Sequence, residues 1–495
     1  MLPMVPAAIW VGRIFRFVFY SALGALLTLL VVFALYIERL PDLQIWHTAV
    51  LDEEYTQDAP ISTFTEYLAL EERLFAQLDE LIYNKTGAAG PDSINRYLRG
   101  SRADPARWTP NWNRSFLLEA KDPRSAVLLL HGLTDAPYSL RHMGQRLHAS
   151  GATVLGLRVP GHGTAPSGLV SVRWQDMAAA VQLAMQHLAD AGQGRPIHIV
   201  GYSNGAALAV QYALAAIDDP ELPRVQSLVL ISPEIGISPV AALAVWQERL
   251  GRLLGIDKLR WNSIHTLEYE PFKYGSFAIN AAALSRSLTR EIQRRTRALA
   301  AKERLGEMPP ILSFSSVVDA TVEAPAVVRD LFNLLPPGGH ELVLFDINRQ
   351  AKIEQFLTWN PDRMIAAFRE AKHRNYALTL VTNADSNSSS VVVAHWPVDQ
   401  RTASRTPLGL SWPAGIYSLS HVALPFPADD TIYGGYPTGP GPGIQLGNVA
   451  LRGERGALAI SASAQLRLRW NPFYPWLEKR ALEFMALKPE TRRLN

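Results

Sequence analysis

The stretch Gly-Tyr-Ser-Asn-Gly at 201–205 constrains the fold of this chain more than any other feature of its sequence. It joins an apolar segment, 197–200, to an alanine-rich segment that begins at 204. A simple connection between a strand and a helix needs one flexible residue at most, whereas this one has a glycine two positions before and two positions after Ser203. The pattern is typical of a very tight turn, because side chains at the two glycine positions would collide with the neighbouring strand and helix.

Ser203 at such a turn has the features of a nucleophile. A serine hydroxyl reacts poorly until a base accepts its proton and hydrogen-bond donors stabilise the oxyanion that forms. A strained turn at the end of a parallel strand exposes the hydroxyl and directs the N-terminus of the following helix toward the developing charge. The pentapeptide alone occurs by chance in many chains, but its position between a strand and a helix predicts a catalytic serine.

A second glycine-containing turn, His131-Gly132-Leu133, follows the apolar segment 125–130. Where a serine lies on a tight turn between a strand and a helix, the loop after an earlier strand can supply a backbone N–H that faces the serine. Glycine in that loop permits the close approach. We therefore predict an oxyanion hole formed by the N–H groups of Leu133 and Asn204. An ordinary strand-to-helix turn also favours glycine, so the prediction depends on the two turns occurring together and in this order.

Short apolar runs alternate with helical patterns from residue 125 onward. Continuous apolar strands separated by helices indicate an α/β fold with a mostly parallel, doubly wound sheet. The predicted strands are 125–130, 152–157, 196–200, 225–231, 311–317 and 341–345. The alternation of strands and helices stops at about 240–308, where the sequence is mostly helical. We interpret this segment as a helical cap inserted over the carboxyl edge of the sheet. Its apolar residues are suited either to an acyl chain or to the cap's own core: Val240, Leu243, Val245, Trp246, Leu250, Leu253 and Leu254.

The remaining segments complete the predicted domain organisation. Residues 41–115 are interpreted as a helical connector, in which Thr63 and Glu66 have the spacing of a capping box. The main α/β domain is predicted to occupy residues 116–490. Two apolar runs joined by a polar turn at 375–396 predict an extra hairpin within it.

Residues 1–40 are predicted to be a membrane anchor. The 21 residues 17–37 carry no charge, a length that spans about 30 Å of hydrocarbon. Arg13 and Arg16 precede this segment, whereas the arginine after it is flanked by two acidic residues. This asymmetry predicts a cytoplasmic N-terminus and a main domain on the periplasmic, or extracytoplasmic, side. A buried core helix is the alternative, and a cleaved signal peptide is disfavoured because no small-x-small site follows the segment.

Composition excludes several classes of function. The chain of 495 residues is 48 % apolar and 19 % charged, and its net charge of +3 comes from scattered basic residues, which does not suggest a nucleic-acid partner. The absence of cysteine excludes disulfides, thiolate metal sites and a cysteine nucleophile. We find no metal-ligand spacing, phosphate loop or dinucleotide motif, and therefore expect no metal and no cofactor. The expected partners are a small ester or lipid substrate and, through residues 17–37, a lipid bilayer.

Three segments carry a resemblance to a known family. They are HGLTDAPYS at 131–139, RVPGHG at 158–163 and GYSNGAALA at 201–209. The sequence resembles the α/β-hydrolase fold, and within it the esterase, monoacylglycerol-lipase and lysophospholipase-like group that is similar to S33 serine aminopeptidases. His131 and His162 within these motifs are predicted to brace their loops through hydrogen bonds to the backbone.

The resemblance implies a serine–aspartate–histidine triad, in that chain order. It places the acid after a later strand, and Asp319 follows the predicted strand 311–317. The alternatives are that Asp319 only caps a helix, or that Glu323 is the acid. The acid would hold the tautomer of the histidine and stabilise its imidazolium form.

Four of the 12 histidines follow Asp319 in the chain: His340, His373, His395 and His421. His421, in the context Ser-His-Val-Ala-Leu-Pro-Phe, resembles the histidine loop of the family and is the predicted base. His395 is the alternative, because it follows an apolar strand. The long separation from Asp319 to His421 is unusual for this fold, and the hairpin at 375–396 would account for it.

These residues predict a membrane-anchored serine hydrolase that cleaves carboxylic esters through an acyl-enzyme. Ser203 would attack, His421 would transfer the proton and Asp319 would orient the histidine. The same fold hosts peptidases, thioesterases and acyltransferases, so the triad alone does not define the leaving group. A membrane-tethered binding protein that keeps the fold without catalysis is the rival interpretation.

Overall fold

The computed structural model describes residues 7–487, with gaps at 91, 193, 237–254, 320, 372, 440 and 448–466. Twelve strands occur in the described residues, and ten of them form one sheet in the order β1-β3-β2-β4-β5-β8-β9-β10-β11-β12. The strands are β1 Phe116–Leu118, β2 Ser125–Leu130, β3 Ala152–Leu157, β4 Ile197–Tyr202, β5 Ser227–Ile231, β6 Trp261–Ser263, β7 Phe277–Ala278, β8 Ile311–Ser316, β9 Glu341–Phe345, β10 Ala377–Asn383, β11 Ser390–Trp396 and β12 Ser404–Ser411.

The centre of the sheet is parallel and its two ends are antiparallel. The strands from β3 to β10 in the sheet order pair in parallel, while β1 pairs antiparallel with β3, and β11 and β12 continue the sheet antiparallel at the far end. Within the central pair, Leu130 of β2 is opposite Gly201 of β4. The predicted mostly parallel sheet is confirmed, and the carboxyl ends of its strands meet at one edge.

Helices cover both faces of this sheet because alternate side chains of each strand point to opposite faces. Leu128 and Leu130 of β2 lie in one apolar core, and Val127 and Leu129 lie in the other. The first core is shared with helices Trp174–Gly192, Asn204–Asp218 and Ile279–Ala301, and the second with helices Arg141–Ala149 and Tyr474–Phe484. The other helices are Ala7–Arg39, Phe64–Leu78 and Pro361–Arg369, with shorter ones at Ile45–Thr48, Asn84–Thr86 and Ala324–Val327.

The connector is tied to the main domain by buried polar contacts. Helix Phe64–Leu78 begins at the predicted capping box, in which Thr63 accepts a hydrogen bond from the Glu66 N–H. The helix carries Glu71, which pairs with Arg158 at 3.0 Å, and the Arg158 side chain is fully buried. Because Arg158 begins the RVPGHG segment, the connector braces a loop at the carboxyl edge of the sheet.

The predicted cap is described only in part. Its apolar residues between Val240 and Leu254 lie outside the described residues. Within the remainder, β6 pairs with β7, and helix Ile279–Ala301 packs its apolar side against helix Asn204–Asp218 in the first core. This helix therefore covers one face of the sheet, as a connection between β5 and β8 requires.

The hairpin predicted at 375–396 corresponds to β10 and β11, joined by a polar turn. Sequence reasoning missed β12, because its residues are mostly exposed and include a proline. Proline and exposed polar residues are tolerated on an edge strand, and β12 is the last strand of the sheet.

The N-terminal helix Ala7–Arg39 contains a span from Arg13 to Arg39 that is long and apolar enough to cross a membrane. Its mean hydropathy is 2.4, and none of this span is buried within the described protein.

Candidate active site

Ser203 lies on a strained turn between β4 and helix Asn204–Asp218. Its φ of 53° and ψ of −115° are values that residues other than glycine rarely adopt. A Cβ at Gly201 would lie 2.5 Å from Ala206 Cα, and a Cβ at Gly205 would lie 2.1 Å from the carbonyl oxygen of Leu130. Both glycines are therefore required by close packing, as the motif predicts, and the turn is held by a 2.9 Å hydrogen bond from the Ser203 N–H to Ile231.

The turn after β2 packs against the start of the same helix. The carbonyl oxygens of Leu130 and His131 are the backbone atoms nearest to Gly205, which brings this turn beside the helix N-terminus. The N–H groups of Leu133 and Asn204 donate no hydrogen bond to any described residue. Unpaired backbone donors at a helix N-terminus form a site that favours negative charge.

Asp319 and His421 meet at the same edge of the sheet. The Asp319 carboxylate follows β8 and lies 3.4 Å from His421 Nδ1. One carboxylate oxygen, Oδ1, accepts hydrogen bonds from the N–H groups of Thr321 and Val322, at 2.8 and 3.0 Å. The other, Oδ2, is buried without a hydrogen-bond partner in the described part of the chain. The Ser316 hydroxyl donates to the carbonyl of Leu419 at 2.7 Å and so ties the histidine loop to the end of β8.

His395 lies elsewhere, near the amino ends of the parallel strands. Its Nδ1 is 2.9 Å from the hydroxyl of Thr379, which in turn donates to Glu341, the first residue of β9. Asp319 follows the carboxyl end of β8. The two residues are therefore at opposite edges of the sheet, separated along the direction of the strands. The structure thus brings Asp319 and His421 together and does not bring His395 to them.

Comparison with known proteins bears on the fold. The family model described as serine aminopeptidase, S33, matches residues 121–331, which include Ser203 and Asp319 but not His421. The chain has the α/β-hydrolase fold. The predicted fold class and the predicted resemblance to the esterase and lipase group are confirmed. No curated protein matches the sequence.

Solved α/β-hydrolase structures are similar at low identity. One, from work on the metagenome-derived lipolytic enzymes LipS and LipT, is 20 % identical with a TM-score of 0.36, over 52 % of this chain and 96 % of the other. The monoacylglycerol lipase of Paleococcus ferrophilus is 17 % identical with a TM-score of 0.35, over 47 % and 88 %. A soluble variant of monoglyceride lipase from Saccharomyces cerevisiae is 14 % identical with a TM-score of 0.35, over 47 % and 82 %.

Two further histidines, His131 and His162, form hydrogen bonds with the backbone of the loops that carry them. His131 Nδ1 is 2.9 Å from the carbonyl of Gly132, and its Nε2 accepts from the N–H of Val159 at 3.0 Å. His162 Nδ1 is 3.0 Å from the carbonyl of Pro160. Burial holds the pKa of His131 well below its usual range and lowers that of His162 to about 4. His131 therefore bridges two backbone groups, whereas His162 contacts backbone carbonyls through Nδ1 alone and its Nε2 has no partner in the described residues.

Sequence reasoning missed Glu234, which follows β5 and lies beside the Ser203 turn. Its N–H donates to the carbonyl of Ser203 at 3.1 Å, and its carboxylate accepts from Asn204 Nδ2 at 2.9 Å and from the Ser285 hydroxyl at 3.1 Å. Burial raises the pKa of Glu234, and the nearby His421 acts in the opposite direction. The only sequence signal was a carboxylate shortly after the strand that follows the Ser203 turn, separated from it by Ser232 and Pro233.

Proposed function

We propose that the protein is a serine hydrolase that cleaves carboxylic esters through an acyl-enzyme. The observation that carries this proposal is the geometry of the carboxyl edge of the sheet. A serine on a strained turn, two unpaired backbone N–H groups and a contacting His421–Asp319 pair all lie there. These are the parts that acyl transfer requires: a nucleophile, oxyanion donors and an oriented base.

The proposed reaction assigns one role to each group. Ser203 Oγ attacks the carbonyl carbon while His421 accepts its proton, and the N–H groups of Leu133 and Asn204 stabilise the oxyanion. The bond to the alcohol breaks, and His421 gives the proton to the departing alcohol oxygen. Water then attacks the acyl-enzyme with His421 again as base, which releases the carboxylic acid and restores Ser203. Asp319 holds the ring and stabilises its charged form.

The covalent step is tested with a fluorophosphonate, which labels an activated serine. The intact protein should be labelled, and Ser203→Ala should lose both labelling and ester hydrolysis while keeping its melting temperature, because the hydroxyl of Ser203 makes no hydrogen bond to any described residue. Ser287→Ala, on the exposed face of helix Ile279–Ala301, is the matched control and should behave as the unaltered protein. Absence of labelling in the folded, unaltered protein would favour the non-catalytic binding protein.

A peptidase is the second candidate, since the matching family model is described as a serine aminopeptidase. The two activities are separated by a matched pair of chromogenic substrates, 4-nitrophenyl butyrate and leucine 4-nitroanilide. We expect hydrolysis of the ester with little or no hydrolysis of the anilide. The opposite ratio would reassign the leaving group to an amine and leave the triad unchanged. Thioesterase and acyltransferase activities remain alternatives of the same chemistry.

We further propose that helix Ala7–Arg39 anchors the enzyme in a membrane, with the hydrolase domain on the extracytoplasmic side. The span Arg13–Arg39 is not buried within the described protein, and Arg13 and Arg16 mark the cytoplasmic end by the positive-inside rule. A C-terminal alkaline phosphatase fusion should therefore be active, and a green fluorescent protein fusion carried by the same route should be dark. The reverse pattern would place the domain in the cytoplasm.

A further inference from the structure

A cavity of about 270 Å³ opens beside the proposed base. Val422, the residue after His421, lines one side of it, and Lys273 and Tyr274 line another. The segment with Lys273 is joined to the oxyanion turn, because the Tyr274 N–H donates to the carbonyl of Thr134 at 2.9 Å. The cavity therefore adjoins both the loop of His421 and the turn after β2.

Two cations that line this cavity, Lys273 and Arg469, are each paired with a carboxylate. Lys273 Nζ lies 3.3 Å from the buried carboxylate of Asp135, and Arg469 lies 2.5 Å from Glu270. Glu270 also accepts a 3.0 Å hydrogen bond from the Tyr433 hydroxyl. Although burial acts in the opposite direction, Arg469 and Lys273 hold the pKa of Glu270 below its ordinary value. In these two ion pairs each positive charge is balanced by a negative one, so together they form a polar wall of the cavity without net charge.

Arg467 adds a positive charge that no described carboxylate balances. It lines the same cavity, is exposed, and forms no hydrogen bond or ion pair with any residue that the structure describes. Its charge also reaches the turn of the nucleophile: Arg467 opposes the rise in the pKa of Tyr202 that burial, Asp135 and Asp319 cause. An arginine guanidinium in this state is a ready donor for a carboxylate or phosphate.

We infer that this cavity is a subsite for an anionic group, a phosphate or a carboxylate, on the alcohol portion of the ester substrate. The inference rests on the proposed function. His421 must return its proton to the alcohol oxygen, so the alcohol lies against the histidine ring, on the side where Val422 leads into the cavity. Arg467 then binds the anion, while the Arg469 and Lys273 pairs form the polar wall around it.

The test compares two substrates that differ in one group, 1-hexanoylglycerol and 1-hexanoylglycerol 3-phosphate. The unaltered full-length protein should favour the phosphate, with a ratio of kcat/KM of about tenfold or more. Arg467→Ala should reduce this ratio by about fivefold or more, mainly through KM, and Arg467→Lys should restore part of it. Arg297→Ala, which removes an exposed arginine of helix Ile279–Ala301, is the matched control and should keep the ratio. High salt should lower the preference, because exposed charges are screened.

A ratio near one in the unaltered protein, or a ratio that Arg467→Ala leaves unchanged, would overturn the subsite. A second pair, ethyl esters whose acyl chains end in a carboxylate or in a methyl group, places the anion on the acyl side. A preference that appears only there would overturn the assignment to the alcohol. Calorimetric binding of glycerol 3-phosphate separates the subsite from the reaction. Binding that weakens in Arg467→Ala supports the subsite even where ester turnover fails, and absence of binding contradicts it.

Discussion

His395 and His421 lie at opposite edges of the central sheet, and the polar groups in contact with each histidine differ in how completely they are satisfied. At the amino edge, His395 contacts Thr379, whose hydroxyl donates to Glu341, and Glu341 also pairs with Arg480. At the carboxyl edge, by contrast, backbone donors and one oxygen of the carboxylate beside His421 have no partner in the described residues. Satisfied networks stabilise a fold, whereas unsatisfied groups around a strained turn indicate chemistry.

The largest difference between the two edges is expected when His421 and His395 are each replaced by alanine. His421→Ala should lower kcat/KM for a chromogenic ester by about three decades or more, because Ser203 then has no proton acceptor. His395→Ala should lower it by a few-fold at most, through packing, and should act mainly on the melting temperature. A deep loss of turnover in His395→Ala would mean that the hairpin of β10 and β11 contributes to the active site and that our assignment of the edges is wrong.

Asp319 should show the next largest effect. Asp319→Asn should cost about a hundredfold or more in turnover, but less than His421→Ala, since the base is still present but poorly oriented. Asp346→Asn is a matched control, because Asp346 is also buried and also follows a strand at the carboxyl edge, yet it is fully paired with Arg349 and Thr382. That control should lose stability and keep its turnover. Equal losses of turnover in both variants would contradict the orienting role of Asp319.

Local patterns made much of this arrangement predictable from sequence, and long-range contacts limited the rest. The tight turn at Ser203 was predictable because the clashes that require Gly201 and Gly205 arise within a few residues of chain and at one neighbouring strand. Glu234 was missed because its importance depends on folding back onto Ser203. The choice between His395 and His421 remained open in the sequence, since the edge at which His395 lies depends on the pairing of β10 with β9 and β11.

At the amino edge, removal of the ion pair between Arg480 and Glu341 should change stability and leave turnover unchanged. Arg480 pairs with Glu341, whose side chain is only 6 % exposed, so Arg480→Ala leaves a nearly buried carboxylate with only the Thr379 hydroxyl as a described partner. We expect a loss of about 2 kcal/mol in the free energy of unfolding and a kcat/KM within about twofold of the unaltered protein. Lys479→Ala removes a neighbouring exposed cation and should change neither quantity. A loss of turnover in Arg480→Ala would show that the two edges are coupled.

The smallest expected effect concerns Glu478, on the helix Tyr474–Phe484 that also carries Arg480. Burial raises the pKa of Glu478 to about 7, although Arg146, at 3.2 Å, acts to lower it. Because the pKa in the folded protein lies above the ordinary value of about 4.5, the contribution of this group to stability is complete below pH about 4.5 and is lost as the pH rises through about 7. Glu478→Gln keeps the shape of the side chain and removes its titration.

The variant should therefore match the unaltered protein near pH 5 and gain about 1 kcal/mol over it near pH 8, measured as the free energy of unfolding at each pH. Glu483→Gln, at an exposed carboxylate of the same helix, should show a difference that does not change with pH. If Glu478→Gln instead lost stability near pH 8, the ion pair with Arg146 would outweigh the cost of burying the Glu478 carboxylate.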